Sequence, residues 1–193
     1  MRLWLARHAA VPQTAGLCYG ASDVAADTHA TRAAAEQLAR VLPTLTQACC
    51  SPLQRCRTLA DHLQALRPDL VVTCDARLAE MDFGRWEGQS WDAIGEAALS
   101  AWTADFAEHR PGGGEALAPF MRRVGEALWS FSATGATEGL WITHAGVIKA
   151  VQLLVGGQSR ITRADQWPPD SVACGQWTVL DLPPTGSAAA IRA

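Results

Sequence analysis

Residues 1–12, MRLWLARHAAVP, decide how this chain is read. Leu3, Trp4, Leu5 and Ala6 follow one another with no polar interruption, so Arg2 to Ala6 predicts a short strand buried on both faces, as in a parallel sheet. Arg7 and His8 then stand where the strand stops. In an open α/β sheet, ligands bind outside the carboxyl ends of the strands, so a guanidinium beside an imidazole at that point invites a functional reading. Taken alone, the pair reads equally as two surface residues opening a loop, and the rest of the chain has to decide.

The segments that follow alternate between strand and helix. Thr28 to Val41 is Ala-rich and suits a helix, and Ala48 to Cys50 is a short apolar run. Ser51-Pro52 then reads as an N-cap and first-turn proline. Leu53, Cys56, Leu59, Ala60, Leu63 and Leu66 recur at helical spacing up to Pro68. Leu70 to Cys74, LVVTC, is apolar and β-branched, hence a third strand. After the loop Pro111 to Gly114, the segment Glu115 to Phe131 places Leu117, Phe120, Met121, Val124 and Leu128 on one helical face. Gly139 to Thr143 is a fourth strand, Val147 to Val155 a helix, and Trp177 to Leu182 a last strand. The expected fold is α/β, a three-layer sandwich with a mostly parallel sheet flanked by helices. The tail PPTGSAAAIRA has little to pack against and reads as loose.

Composition narrows the function. The 193 residues suit a single domain, and 49% hydrophobic with 18% charged residues argues against disorder. No apolar run approaches the ~20 residues of a membrane span, and the N-terminus lacks the apolar core of a secretory signal, so a cytoplasmic protein with no membrane partner is expected. A net charge of −3 argues against a nucleic-acid partner. The six cysteines show no CxxC pair and no metal-ligand spacing, so most read as small core residues, and no metal or other cofactor is expected.

The strand ends answer the opening question. The first strand is followed by Arg7 and His8, the second by Ser51 and Arg55, the third by Glu80 and the fourth by His144. With only 5 histidines in the chain, independent scatter would rarely assemble two histidines, two arginines and an acid at four strand ends. Arg55 falls on the first turn of its helix, where free N–H groups and the helix dipole already favour an anion, and it reads as half of a phosphate clamp. Arg57 competes for that role, and a surface ion pair is the plain alternative for either. Asp82 and Glu87 compete with Glu80. His29, His62 and His109 read as surface residues.

The segments LWLARHA, SPLQRCRTLA, EMDFGRWEGQSW and WITHAGVIKAV resemble the four signature segments of the histidine phosphatase superfamily, with its phosphoglycerate-mutase-like fold, across nearly the whole chain. Within it, GLCYGASDV (Gly16 to Val24) and FGRWEGQSW are similar to the α-ribazole phosphatase branch. The resemblance implies a metal-independent phosphomonoesterase. His8 would attack the phosphoryl group and form a phosphohistidine that water later hydrolyses. Arg7, Arg55 and His144 would bind the phosphate oxygens and stabilise charge in transfer. Glu80 would protonate the leaving oxygen and then deprotonate water.

Two departures from the family pattern stand out: Ala9 replaces the usual glycine after Arg-His, and Ala10 removes the polar residue that commonly follows. The segment Asp23 to Gln37 also lacks the usual Leu-Thr and Gly of its motif. Residues 84–137 are expected as a mainly helical cap insertion within the single domain 1–193, with Trp86, Trp91, Trp102 and Phe106 available to contact a leaving group; core packing is the alternative for each Trp. The expected partner is a small-molecule phosphomonoester, α-ribazole 5′-phosphate first. A broad-specificity sugar phosphatase, a phosphoglycerate mutase and a catalytically dead phospho-ligand binder are the alternatives. Oligomeric state is not fixed by the sequence, and a homodimer stays open.

Overall fold

The computed structural model describes residues 1–44 and 47–182. The tail read as loose, 183–193, lies outside the described residues. Five strands form one sheet: β1 Arg2–Arg7, β2 Gln47–Cys50, β3 Val72–Cys74, β4 Glu138–Thr143 and β5 Trp177–Asp181, in the order β3-β2-β4-β1-β5. The pairs β3/β2, β2/β4 and β4/β1 are parallel, and β5 closes the β1 edge antiparallel. The sheet is therefore mostly parallel, with helices on both faces, as the alternation of apolar runs demanded.

Side-chain alternation divides the core into two. Leu3, Leu5 and Trp141 point to one face and pack beneath α5 (Leu117–Ser132) and α6 (Ala145–Val155). Ala6, Leu140 and Ile142 point to the other, beneath α1 (Thr28–Val41) and α2 (Gln54–Leu66). The expected stripe of α5 is buried throughout: Leu117, Phe120, Met121, Val124 and Leu128 are each at most 3% exposed. Removing one of these leucines to Ala would cost about 2–5 kcal/mol through lost burial and the cavity left behind.

Three readings need correction. The helix after β2 starts at Gln54 with Leu53 as its N-cap, not at Ser51-Pro52; the Ser51 hydroxyl accepts from the Leu53 amide at 3.3 Å, ahead of the helix, and from the distant His144 ring. The run LVVTC yields only Val72–Cys74 at the sheet edge, with Val71 72% exposed, because no second partner covers it. Of the segment 84–137 read as a cap, α5 belongs to the core layer, since nine of its residues are buried there. Two short helices precede it, α3 (Trp91–Ile94) and α4 (Glu96–Ala104), neither with a buried residue.

Candidate active site

The sheet places the site by register. Arg7 pairs with Thr143 across β1 and β4, so the next residues, His8 and His144, leave the sheet side by side with ring centroids 5.2 Å apart. The His8 amide donates to the Thr143 carbonyl at 3.0 Å, and the Ser51 amide at the end of β2 donates to Ile142 at 2.9 Å. Three adjacent parallel strands thus end in one crevice.

Arg7, His8, Arg55 and Glu80 line a single cavity of about 380 Å³, together with Gly146 and Lys149. His8 is 2% exposed, and its Nδ1 lies 2.7 Å from the Ala9 carbonyl oxygen. A carbonyl can only accept, so Nδ1 carries the proton and Nε2 keeps its lone pair. Burial, then the positive charge of Arg55, pushes the His8 pKa down to about 3, which keeps the ring neutral at ordinary pH. Ala9 is 1% exposed, so the family departure at this position fills core space while its carbonyl still fixes the tautomer.

Arg55 is 1% exposed and lines this cavity, whereas Arg57 is exposed and does not line it. Its Nη1 donates to the Ser22 carbonyl at 2.7 Å and Nη2 to the Gly20 carbonyl at 2.6 Å. Its Nε donates to Nδ1 of His144 at 3.2 Å. Arginine has no acceptor, so Nδ1 of His144 is bare and the neutral ring carries its proton on Nε2, which donates to Ser51 Oγ at 2.7 Å. Burial and the Arg55 charge hold His144 well below the usual histidine range. His144 is fully buried behind His8 and Arg55, and both its ring nitrogens are occupied. In this arrangement it supports Arg55.

Arg7 donates through Nη1 to the Val172 carbonyl at 2.8 Å and to Ser171 Oγ at 3.2 Å, while its buried Nε has no partner among the described residues. A buried cationic N–H without an acceptor is costly, so an anion in the cavity would relieve it. Glu80 accepts from the Gly146 amide at 2.9 Å and from its neighbour Met81 at 3.1 Å. Burial raises its pKa, and those two bonds only partly counter it. Asp82 instead takes the Gly84 amide in a turn.

The cavity's outer wall is aromatic. Tyr19, Phe83, Trp91, Trp102 and Phe106 line it, with Trp102 contacting Phe83 edge-on at 5.9 Å and Phe106 at 5.5 Å. Trp86 meets Trp102 from outside at 5.8 Å. Sequence reasoning missed Tyr19, Lys149 and Arg123. Arg123 donates to the carbonyls of Arg77, Ala79 and Glu80 while paired with Glu115 at 2.8 Å, and so anchors the segment that carries Glu80. Its position inside an amphipathic helix gave no local signal of that contact.

An imidazole with a free lone pair, flanked by two arginines and a carboxyl at the ends of parallel strands, defines a histidine phosphatase. The chain belongs to the histidine phosphatase superfamily (branch 1), whose family model matches residues 3–181. Among solved structures it is similar to the α-ribazole phosphatase from Shigella flexneri, at 27% identity and TM-score 0.80, covering 96% of this chain and 92% of that one. It is also similar to mycobacterial glucosyl-3-phosphoglycerate phosphatase, at 25% identity and TM-score 0.76, covering 93% and 89%. No curated protein matches the chain. The protein is thus an enzyme of the phosphatase class, and no described helix is long and apolar enough to cross a membrane.

Proposed function

We propose that the protein hydrolyses a phosphomonoester through a phosphohistidine on His8, with α-ribazole 5′-phosphate as the substrate. The observation that carries the reaction is the fixed His8 tautomer, its open Nε2 facing the cavity shared with Arg7 and Arg55. Nε2 attacks phosphorus, the bond from phosphorus to the alcohol oxygen breaks, and Glu80 gives that oxygen its proton. Water then attacks the phosphohistidine, Glu80 takes the water's proton, and the P–N bond breaks to restore His8 and release inorganic phosphate. Arg7, through its unpartnered Nε, and Arg55 stabilise the equatorial oxygens, which carry the shifting charge. His144 holds Arg55 in place through its bare Nδ1 and so contributes to phosphate binding through that arginine.

The leaving group is read by the aromatic wall, and we infer that residues 83–106 act as the cap. A flat benzimidazole stacked among Phe83, Trp91 and Trp102 would gain about 1–3 kcal/mol, as bases do on other aromatic surfaces. The similarity to an α-ribazole phosphatase supports this choice, and on this reading the enzyme serves cobalamin synthesis in the cytoplasm. Lys149 favours a second reading. Its ammonium lines the same cavity and makes one long bond, 3.4 Å to the Pro169 carbonyl, so it suits a carboxylated alcohol such as a glycerate.

One kinetic panel separates them. The kcat/KM for α-ribazole 5′-phosphate should exceed that for ribose 5-phosphate at least about tenfold, the equivalent of ~1.4 kcal/mol in transition-state binding. Equal efficiencies would eliminate the stacking assignment, and a preference for 3-phosphoglycerate or its glucosyl derivative would install the second reading.

A further inference from the structure

Glu87 has no part in the chemistry above, yet five donors converge on its carboxylate. Oε2 accepts from the amides of Gly20 at 2.9 Å and Ser22 at 3.2 Å and from the Ser22 hydroxyl. Oε1 accepts from the amides of Ala21 and Phe83, each at 3.0 Å. Burial alone would raise this carboxyl, but the Ser22 hydroxyl and the backbone amides together hold it below its ordinary range. The charged form is therefore the one the fold is built around.

What those donors belong to gives the residue its meaning. The loop 20–22 supplies both carbonyls that hold the terminal nitrogens of Arg55. Gly20 is also where the loop touches the acid's segment: a Cβ there would stand 1.9 Å from the Met81 carbonyl oxygen, so only glycine permits the approach. The neighbouring backbone repeats the stitching, with Cys18 donating to Gln89 and Gly88 to Cys18, each at 2.8 Å. One carboxylate thus ties the aromatic wall at Phe83 to the carbonyls that aim the buried arginine.

We propose that Glu87 is a positioning residue for Arg55: it shapes loop 20–22 so that the Gly20 and Ser22 carbonyls fix the guanidinium in the phosphate site. This rests on the reading of Arg55 as a phosphate ligand. Glu87→Gln is the informative change, because its amide NH₂, in either orientation, faces two or more N–H or O–H donors and cannot accept from them. The Ki of inorganic phosphate as a competitive inhibitor should rise about tenfold, and kcat/KM should fall by about 10–100-fold, the scale of a misplaced catalytic group. In an Arg55→Ala background the same change should add less than about twofold, since both act through one group.

A purely structural Glu87 would instead lower Tm while leaving Ki per folded molecule unchanged, and its effect would add fully to Arg55→Ala; either result overturns the proposal. Ser22→Ala, which removes one donor and keeps the backbone, keeps the test decisive if Glu87→Gln does not fold. It should raise Ki about twofold or more, on the scale of one weakened hydrogen bond, and an unchanged Ki overturns the proposal. Failure of the underlying reading looks different: Arg55→Ala itself would leave phosphate binding intact.

Discussion

Gly146→Ala separates the acid's position from the fold's stability. Gly146 is the second residue of α6, with no positive φ, so alanine suits its backbone and adds up to about 1 kcal/mol of helix propensity. Its new Cβ would lie 2.3 Å from Glu80 Oε1 and 3.0 Å from the carboxyl carbon, where ordinary contact begins near 3.4 Å. The carboxyl must therefore retreat by about 1 Å and loosen its bond to the Gly146 amide, a loss of about 1.5–3 kcal/mol for a bond to a charged group. Net destabilisation is about 0.5–2 kcal/mol, or roughly 1–8 °C in Tm for a chain of this size. Activity should fall much further, because a 1 Å misplacement of a catalytic group costs about 10²-fold. Alkyl phosphates, whose leaving oxygen needs the proton, should lose that factor in kcat/KM, and a nitrophenyl ester only a few-fold. Glu80→Gln should show the same split, at about 10²–10⁴-fold on the alkyl ester. Steady-state kinetics on the two ester classes with a parallel melting curve would decide. A folded Gly146→Ala enzyme that turns over alkyl phosphates within about threefold of wild type would refute the assignment of Glu80 as the positioned acid.

Two predictions concern His8. His8→Ala should abolish turnover and the acid-labile phosphoryl label trapped in a rapid non-acidic quench, and a labelled variant would show that another residue is the nucleophile. The same variant should flatten the dependence of stability on pH. His8 is neutral in the fold down to about pH 3, whereas in the unfolded chain it takes up a proton below its ordinary 6.5, so its presence destabilises increasingly as pH falls through that window. Between pH 7 and 5 the wild type should lose about 2 kcal/mol more than His8→Ala in urea melts, and parallel curves would contradict the neutral, buried imidazole.

The sheet and its helices were legible because local pattern and tertiary burial agree there. Thr28–Val41 is helical to the residue, and β1 carries its double-sided burial in four consecutive apolar letters. Where a long-range partner competes with a local signal, the local reading fails. Ser51 has the composition of an N-cap, but its hydroxyl is shared between the Leu53 amide and the imidazole of His144, 93 positions away, and the helix starts only at Gln54. Leu70 and Val71 have the composition of a strand, but the sheet ends at β3. The candidate site residues were readable because each lies at, or in the segment following, the end of a strand, a position that the alternation itself reveals. Their supports were not: Glu87 reads as part of a turn and Arg123 as a helix surface, since nothing local shows that their partners are the loop 20–22 and the backbone of 77–80.

These supports explain how the candidate site joins a chemistry held by the backbone to an aromatic wall. At the end proposed for the phosphate, His8, Arg55 and Glu80 each bond main-chain groups: His8 its neighbour Ala9, Glu80 the first turn of α6, and Arg55 the loop 20–22. The opposite end stands on α3 and α4, four and nine residues long, which are too short to persist as isolated helices and bury no residue of their own. They are held by edge-on aromatic contacts and the stitching along 16–22. Substitutions among Trp91, Trp102 and Phe106 therefore reshape the pocket for the alcohol while leaving the backbone contacts of the phosphoryl site intact. Glu87 lies where the two ends meet and, of the wall residues, bonds Phe83, so on the proposed reading a change in the backbone at Phe83, unlike one at Trp91, Trp102 or Phe106, reaches Arg55 through the carbonyls of Gly20 and Ser22.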